Sequence, residues 1–245
     1  MRILLPPLLL LLAAAPAAAQ SVSIDLGAAG QPGATSRLVL LTALVGVLSL
    51  APSLLVMATA FTRITIVLAL LRSAIGAQGV PPNPALIGLS LFLTLFVMQP
   101  VLEQSWTAGL QPLMEARVGE IEGLQAAAEP FRRFMAAQAT EADLALFLDL
   151  ARLPPLPEGA APEQIPWRAL LPAFLIGELK RAFEIGFLLF LPFLVLDMVV
   201  ASLLMSLGMM MLPPNVVALP FKLIFFVLVD GWRLVAGGLV QGFGA

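Results

Sequence analysis

The sequence predicts an all-α protein of the integral-membrane type, with about four long apolar helices paired into hairpins and a small helical region outside the cytoplasm. Hydrophobic residues make up 60% of the 245 residues and charged residues 11%, against about 45–50% and about 25% in soluble domains. Mean hydropathy is +1.00. Uncharged runs long enough to cross a bilayer alternate with Gly- and Pro-rich connections, which is typical of membrane helices joined by turns.

Composition also excludes several function classes. Cys and His are both absent, which removes disulfides, thiolate nucleophiles, the usual general base and the commonest metal ligands. A net charge of −2 provides no basic surface for nucleic acid. The sequence therefore predicts no catalytic residue, no metal site, no cofactor and no nucleic-acid partner.

The N-terminus has the pattern of a secretory signal peptide over residues 1–19. Arg2 supplies the positive start, residues 3–12 an apolar core, and the alanines at 17–19 a small-x-small cleavage site. An uncleaved apolar anchor is the alternative. Residues 20–37 are polar and Gly-rich and are expected to be loose.

A first helical hairpin is predicted over residues 38–102. Residues 38–60 carry no charge and would span about 34 Å as a helix, enough to cross the hydrocarbon core. Arg63 and Arg72 follow without an acidic residue between them, and a second uncharged run covers 84–102. The positive-inside rule places the arginine-bearing connection in the cytoplasm, which agrees with an exported N-terminus.

Residues 103–168 have a different character and are predicted to form a small helical extracytoplasmic, or periplasmic, region. Ten of the chain's 15 acidic residues fall here against five arginines. Thr140 and Asp143 resemble a helix capping box, and Leu144 and Leu148 lie on one face of the helix that would follow.

Residues 169–245 are predicted to hold an amphipathic segment and a second hairpin. Within the segment 169–184, oppositely charged residues lie at helical spacing and can pair on the surface. These pairs are Glu178 with Arg181 and Lys180 with Glu184. Apolar helices are then expected at 187–207 and 223–240, with the connection between them facing the cytoplasm.

A methionine-rich turn joins these two helices. Met209, Met210 and Met211 follow Gly208 and precede two prolines, residue types that end helices and favour turns. Methionine is flexible and polarizable, so the run can be either ordinary gap-filling or a compliant apolar seal. Residues expected to support the seal or its hairpin are Met205, Gly208, Pro213, Pro214 and Phe193.

A weak internal repeat connects the two hairpins. Shifting the chain by 132 residues aligns Phe61 with Phe193 and Gly76 with Gly208. The same shift aligns the Pro-Pro-Asn sequence at 81–83 with that at 213–215. Turn chemistry alone could also produce this match.

Two acidic residues, Asp197 and Asp230, lie within apolar runs, where a charge is costly. Pairing with a base on a neighbouring helix or subunit is the favoured interpretation, and a proton or ion pathway is the alternative. An intramembrane aspartyl protease is disfavoured, because neither residue has that family's surrounding motif. Candidates for buried ion pairs are Asp197, Asp230, Lys222, Arg63, Arg72, Glu178 and Lys180.

Five runs of sequence carry a family resemblance. They are FTRITIVLALLRSAIG (61–76), PPNPALIGLSLFLTLFVMQPV (81–101), TEADLALF (140–147), ELKRAFEIGFLLFLPFLVLDMVVASLLMSLGMMMLPP (178–214) and ALPFKLIFFVLVDGW (218–232). Together they resemble the FliP/SctR family of type III secretion export-gate proteins. The signal peptide and the acidic region are features of its flagellar branch.

The resemblance implies a pore-forming subunit of the flagellar export gate, which passes unfolded flagellar proteins across the bacterial inner membrane. Family members assemble into a ring with FliR, FliQ and FlhB, and FlhA and the ring and rod proteins of the flagellar basal body are further expected partners. The gate lies largely at the periplasmic face, so some apolar helices would face other subunits. Met209, Met210 and Met211 would then close the pore. A polytopic ion or solute channel is the alternative function.

Overall fold

The structure, a computed structural model, describes residues 42, 45, 46, 49, 53, 56–77, 79–157, 159–209 and 211–244. The signal-peptide prediction, the loose segment and most of the apolar run 38–60 lie outside these residues. The chain divides into two units, Met1–Ser49 and Leu50–Ala245. In the first unit the four described residues are helical, and Ser49 Oγ donates to the Gly46 carbonyl at 2.7 Å.

The second unit is helical throughout its regular elements, as far as the described residues go, and this agrees with the all-α prediction. Its helices are α1 Phe61–Ile75, α2 Asn83–Ser105, α3 Gln111–Met114, α4 Glu120–Gln138, α5 Glu141–Leu150, α6 Trp167–Ser206, α7 Pro214–Leu228 and α8 Gly231–Gln241. A π-helical segment, Trp106–Leu110, joins α2 to α3. A 3₁₀ turn, Pro162–Gln164, precedes α6.

Two helical stretches within the described residues are long and apolar enough to cross a membrane. They are Asn83–Met114, which includes α2 and α3, and Trp167–Ser206, which is α6. The pair formed by α7 and α8 would make a third span, although it bends by 62°. Of the four long apolar helices expected, the one over 38–60 falls mostly in the part of the chain that is not described.

The arginine-bearing stretch after residue 60 is helix α1, the arm of the first hairpin that precedes its Gly- and Pro-rich connection. Its apolar residues recur at helical spacing, so Ile64, Val67 and Leu68 point inward and are at most 1% exposed. The connection lies later, over residues 76–82. Gly76 starts it with φ of +79° and donates its N–H to the Arg72 carbonyl at 3.2 Å, which closes the helix end.

Helix α6 is one continuous element of 40 residues, about 60 Å long. It joins the expected amphipathic segment and the expected apolar helix without a break. Pro172 and Pro192 lie inside it, and each removes one backbone hydrogen bond without ending the helix. The contacts of α6 with α1, α4, α5 and α7 therefore outweigh the local preference of proline.

The second arm of the second hairpin is broken, whereas the sequence predicted one run over 223–240. Helix α7 ends at Leu228, and Asp230 adopts the left-handed conformation with φ of +52° before α8 begins. Asp tolerates this conformation better than most residues. Gly231 then lets the Phe226 ring pack directly on the backbone, since a Cβ there would overlap the ring.

Two apolar cores hold the helices together. The main core fills the space between α1, α2, α6, α7 and α8. A smaller core lies between α4, α5 and the first turns of α6, and Met135, Leu144 and Phe174 are its central residues. Because α6 contributes to both cores, it ties the acidic region to the two hairpins.

The acidic region is organised by local hydrogen bonds. Thr140 caps α5, accepting from the Asp143 backbone N–H at 3.1 Å, as the capping-box pattern predicted. The linker before α6 is tethered to α4 through Glu163, whose carboxylate accepts from Arg133 at 3.1 Å. A hydrogen bond to its own backbone and then the Arg133 guanidinium lower the Glu163 pKa, so this tether stays ionic at neutral pH.

Large apolar side chains point outward from the long helices. Phe92 of α2, Phe187 of α6 and Val227 of α7 are 67%, 63% and 75% exposed. Water-facing apolar surface costs about 25 cal/mol per Å², and soluble monomers rarely leave such continuous patches uncovered. These faces are therefore surfaces for lipid or for other protein chains.

The two hairpin turns share their backbone chemistry, as the internal repeat suggested. Gly76 and Gly208 have φ of +79° and +73°. Pro82 and Pro214, which the same shift aligns, both lie where the next helix begins, Pro82 immediately before it and Pro214 as its first residue. The arms differ, because α2 is continuous over 23 residues whereas α7 and α8 are separated by a bend. The two hairpins therefore resemble each other in their turns and not in their second arms.

Candidate functional site

The methionine-rich turn lies at the tip of the hairpin formed by α6 and α7. Gly208 and Met209 close the end of α6 with two backbone hydrogen bonds, to Met205 at 3.1 Å and to Leu204 at 2.9 Å. This is the glycine-terminated arrangement that satisfies the last helical carbonyls. Pro213 precedes α7 and Pro214 is its first residue, where a missing N–H costs nothing.

The methionine side chains of this turn do not join either core. Met205, Met209 and Met211 are 58%, 42% and 98% exposed, and Met210 lies outside the described residues. Immediately above the turn, Leu204 and Ala218 pack between the two helices and are buried. The hairpin therefore closes on its own aliphatic contacts and leaves the side chains of Met205, Met209 and Met211 facing outward.

Phe193 lies deeper in the same hairpin. It is 3% exposed and packs edge-on against Phe225, with ring centroids 6.0 Å apart, and at 6.3 Å from Phe226. Phe193 thus packs α6 against α7 and is far along the chain from the tip.

A buried ion pair joins the two arms of this hairpin. Lys222 of α7 donates to Asp197 Oδ2 of α6 at 2.7 Å and to the Ala74 carbonyl of α1 at 3.1 Å. Lys222 is 4% exposed. Its ammonium therefore connects α6, α7 and the end of α1 beside the first turn. Asp197 Oδ1 is buried and has no hydrogen-bond partner among the described residues.

A second buried pair lies between α1 and α6. Arg63 Nε donates to Glu178 Oε2 at 2.8 Å, and Arg63 Nη2 donates to Glu178 Oε1. The two residues are 1% and 0% exposed. A two-point contact between guanidinium and carboxylate is the strongest form of ion pair available to side chains. The spacing of Glu178 and Arg181 predicted a pair on the helix surface. The structure instead pairs Glu178 with buried Arg63.

Arg63 reaches two further parts of the chain. It donates to Gln138 Oε1 of α4 at 2.9 Å and to the Gly242 carbonyl after α8 at 3.0 Å. The Phe243 ring covers the guanidinium, with its centroid 3.7 Å from Cζ. Phe243 in turn stacks on Phe134. One buried arginine thus joins α1, α4, α6 and the residues that follow α8.

The remaining ion-pair candidates are not buried pairs. Asp230 lies 4.0 Å from Arg233, and both side chains are exposed, so this contact contributes little. Arg72 binds Asn83 Oδ1 at 2.6 Å and the Pro81 carbonyl, which ties the first turn together. Lys180 lies exposed on α6.

Three contributors to the Arg63 site were missed in the sequence. Gln138, Gly242 and Phe243 are uncharged or contribute only backbone and ring atoms. Each lies more than 70 positions from Arg63 along the chain. Helical spacing reports only neighbours three or four residues apart, so no local pattern could have found them.

The described residues of the site offer apolar surface and charged pairs, and no arrangement typical of a metal site or an aspartyl dyad. Within the described residues, no group of three or more carboxylates is placed to hold a metal ion. Asp197 and Asp230 each face a different cation, so they do not form the shared-proton pair that an aspartyl dyad needs. The tip of the hairpin offers exposed, flexible apolar surface on a turn whose backbone hydrogen bonds close the end of α6.

This fold and site define a helical protein of the membrane type, with outward apolar faces and a projecting methionine turn. Residues 44–239 match the model of the FliP family, and the chain belongs to that family.

Similar proteins agree with this membership. The flagellar biosynthetic protein FliP of Caulobacter vibrioides is 57% identical over 93% of this chain and 85% of its own length. Its counterpart in Bacillus subtilis is 46% identical over 90% and 98% of the two chains. That of Rhizobium meliloti is 44% identical, with 93% of each chain covered. The chain is therefore a FliP-family protein with helices apolar enough to cross a membrane, and the relatives named here are flagellar biosynthetic proteins.

Proposed function

We propose that this protein is a pore-forming subunit of the flagellar type III export gate and that its methionine turn seals the channel. Unfolded flagellar proteins would pass through a ring of copies in the bacterial inner membrane, on its periplasmic side. The observation that carries the proposal is the exposure of the turn, with Met209 42% and Met211 98% exposed at a hairpin tip.

The chemistry of methionine suits this role. A conduit for unfolded chains of many sequences cannot rely on fixed hydrogen bonds or on a charge filter. It needs an apolar constriction that excludes water and ions when empty. Unbranched thioether side chains can conform to each other and then to a passing polypeptide.

The buried charges would hold the turn in register. Lys222 bonds both Asp197 on α6 and the Ala74 carbonyl at the end of α1. The methionine hairpin is thereby anchored to the first hairpin. A seal built from several copies needs such an anchor, since each turn must reach the same axis.

The outward apolar faces of α2, α6 and α7 supply surface for assembly. We propose that they are covered by further copies of this chain and by FliR, FliQ and FlhB, with FlhA and basal-body ring and rod proteins as neighbours. Lipid would cover the rest. A signal peptide at residues 1–19 would direct the N-terminus to the periplasm.

The sealing role is tested by replacing Met209, Met210 and Met211 together with Ala. We expect the complex to assemble and cells to leak small solutes and ions, because the constriction loses its apolar volume. Met114→Ala is the matched control, since Met114 is 75% exposed but lies on α3. The leak is measured by entry of a small polar dye, and assembly by the mass of the purified complex.

Two results would contradict this proposal. A triple Ala variant that assembles, stays tight to ions and remains motile would remove the sealing role. Conductance by the purified chain without any secretion partner would favour the ion or solute channel instead.

A further inference from the structure

We propose that the methionine turn is also a site of reversible oxidation. Peroxide-class oxidants would convert the thioethers of Met209 and Met211 to sulfoxides and so open the seal. This inference rests on the proposed sealing role of the same turn and adds a chemical input that regulates it.

The structure sorts the methionines by exposure. Met211 is 98% exposed and Met209 is 42% exposed, whereas Met98 and Met135 are buried at 1% and 0%. Exposures between 44% and 75% are found at Met57, Met114, Met198 and Met205. Oxidation of a thioether requires direct contact between its sulfur and the oxidant. Peroxide should therefore modify the turn well before it reaches Met98 or Met135.

Within a single chain, neither core covers the side chains of Met209 and Met211. The conformation of the turn is fixed by backbone contacts, including Leu212 N–H to the Met209 carbonyl at 3.4 Å. The nearest hairpin packing is made by Leu204 and Ala218, not by methionine side chains. Since the chain contains no cysteine, no thiol within it competes for the oxidant.

The reaction balances with peroxide alone. A sulfur lone pair attacks one peroxide oxygen, the O–O bond breaks, and the leaving hydroxide takes up a proton to become water. Sulfur loses two electrons and gains one oxygen atom, while peroxide is reduced. In the reverse direction a reductase dithiol becomes a disulfide, the sulfoxide oxygen leaves as water, and the thioether is restored.

The product has the wrong polarity for a dry constriction. A sulfoxide is polar and accepts hydrogen bonds from water, whereas a thioether is apolar. Several copies would place several such groups at one narrowing, and a hydrated narrowing no longer excludes ions. The same side chain that yields to a passing polypeptide thereby makes the seal sensitive to oxidant.

The test uses membrane vesicles that contain the assembled complex. Vesicles are treated with graded hydrogen peroxide, the sulfoxide at each methionine is quantified by peptide mass spectrometry, and entry of a small polar dye is followed. We expect oxidation at Met211 and Met209 at doses that leave Met98 and Met135 intact. Dye entry should rise several-fold in step with that oxidation, and the two stereospecific methionine sulfoxide reductases with dithiothreitol should reverse it.

Two variants separate the turn from other exposed methionines. In one, Met209, Met210 and Met211 are replaced by Leu, so the run keeps apolar side chains but has no sulfur. The readout is the change that peroxide causes within each variant, so a different starting leak does not matter. The Leu variant should show no peroxide-induced change. Met114→Leu should respond as the wild type does.

Three outcomes would overturn the inference. The first is oxidation of Met209 and Met211 without any rise in dye entry. The second is protection of both at doses that oxidise Met114. The third is a Leu variant in which peroxide raises dye entry by as much as it does in the wild type. If the triple Ala variant leaks but peroxide has no effect on the wild type, the sealing role stands and only the oxidation proposal is wrong. If the triple Ala variant does not leak, the sealing role itself is wrong.

Discussion

At the scale of single residues, Arg63 concentrates the largest set of buried polar contacts described in this chain. Its guanidinium binds Glu178, Gln138 and the Gly242 carbonyl, and Phe243 covers it. Burying two charges costs several kcal/mol of desolvation, which the mutual attraction and the extra hydrogen bonds offset. Removing one partner leaves the other charge buried and unpaired, so its desolvation cost is no longer offset.

We therefore expect either Arg63→Met or Glu178→Leu to lower the free energy of unfolding by about 3–5 kcal/mol, the usual cost of leaving one buried charge unpaired. The double variant should recover part of the loss, because it buries no charge. Resistance of the detergent-solubilised protein to heat and denaturant measures all three variants. Additive losses in the double variant would show that the two residues act independently.

A second comparison separates the two aspartates of the apolar runs. Asp197→Asn leaves the buried Lys222 ammonium without a countercharge, so we expect lower heat resistance and less assembled complex. The loss should be smaller than for Arg63, because the Asp197 side chain is 30% exposed. Asp230→Asn is the matched control and should stay near wild type, since its pairing is exposed and Asn tolerates the same backbone conformation. Equal losses of heat resistance in Asp197→Asn and Asp230→Asn would contradict the assignment of Asp197 as the partner of buried Lys222.

Sequence patterns predicted which charges need partners but not always which partner each one has. Asp197 and Lys222 were both candidates because each interrupts an apolar run. Glu178 was expected to pair with Arg181 three residues away, whereas it binds Arg63, 115 positions distant. Local hydropathy shows which charged side chains would be desolvated on folding. The partner of each depends on which helices pack together, and local sequence does not show that.

At the scale of elements, the turns were the most predictable features. Gly208 with φ of +73° and the prolines before α7 follow from backbone preferences of single residues. The partners of Arg63 on α1 and the bend at Asp230 were not predicted. The first depends on side chains from α6 and α4 that are distant in sequence, and the second on Phe226 packing over Gly231. Both are tertiary effects.

The tip of the second hairpin should be sensitive to the conformation of Gly208. Gly208→Ala forces a Cβ into the left-handed region, at a cost of roughly 1–2 kcal/mol, and Gly208→Asn should cost less. Gly88→Ala is the control, because Gly88 lies within α2 with open space around it, and it should stabilise slightly. Heat resistance and dye leak are measured for each. Gly208→Ala behaving like Gly88→Ala would show that the turn is not held in this conformation.

At the scale of the whole molecule, uncovered apolar surface dominates. Composition was enough to predict a membrane-type protein, because 60% hydrophobic residues cannot all be buried in so small a chain. Which faces remain outside could not be predicted, since α6 is apolar on nearly all sides. Only its contacts with α1, α4, α5 and α7 show which stripe is internal.

A charge on the outward face should therefore be far more harmful than its exposure suggests. Val227→Lys, at a position 75% exposed, should reduce assembled complex strongly, because a lysine in an apolar environment costs about 2.5–3.5 kcal/mol. Ile121→Lys is the control, since Ile121 is 74% exposed on acidic α4, and it should change little. Complex yield after detergent extraction is the measurement. If Val227→Lys and Ile121→Lys gave the same yield of complex, the outward face of α7 would lie in water.

The continuous helix α6 has a mechanical consequence. Its first turns are packed into the small core of the acidic region, and its last turn carries the methionine hairpin. Tilting a rod about 60 Å long by about 5° moves its far end by about 5 Å, roughly the width of one side chain. Helix α6 is therefore a lever, and within the proposed gate a small displacement of the acidic region would change the bore at the methionine turn.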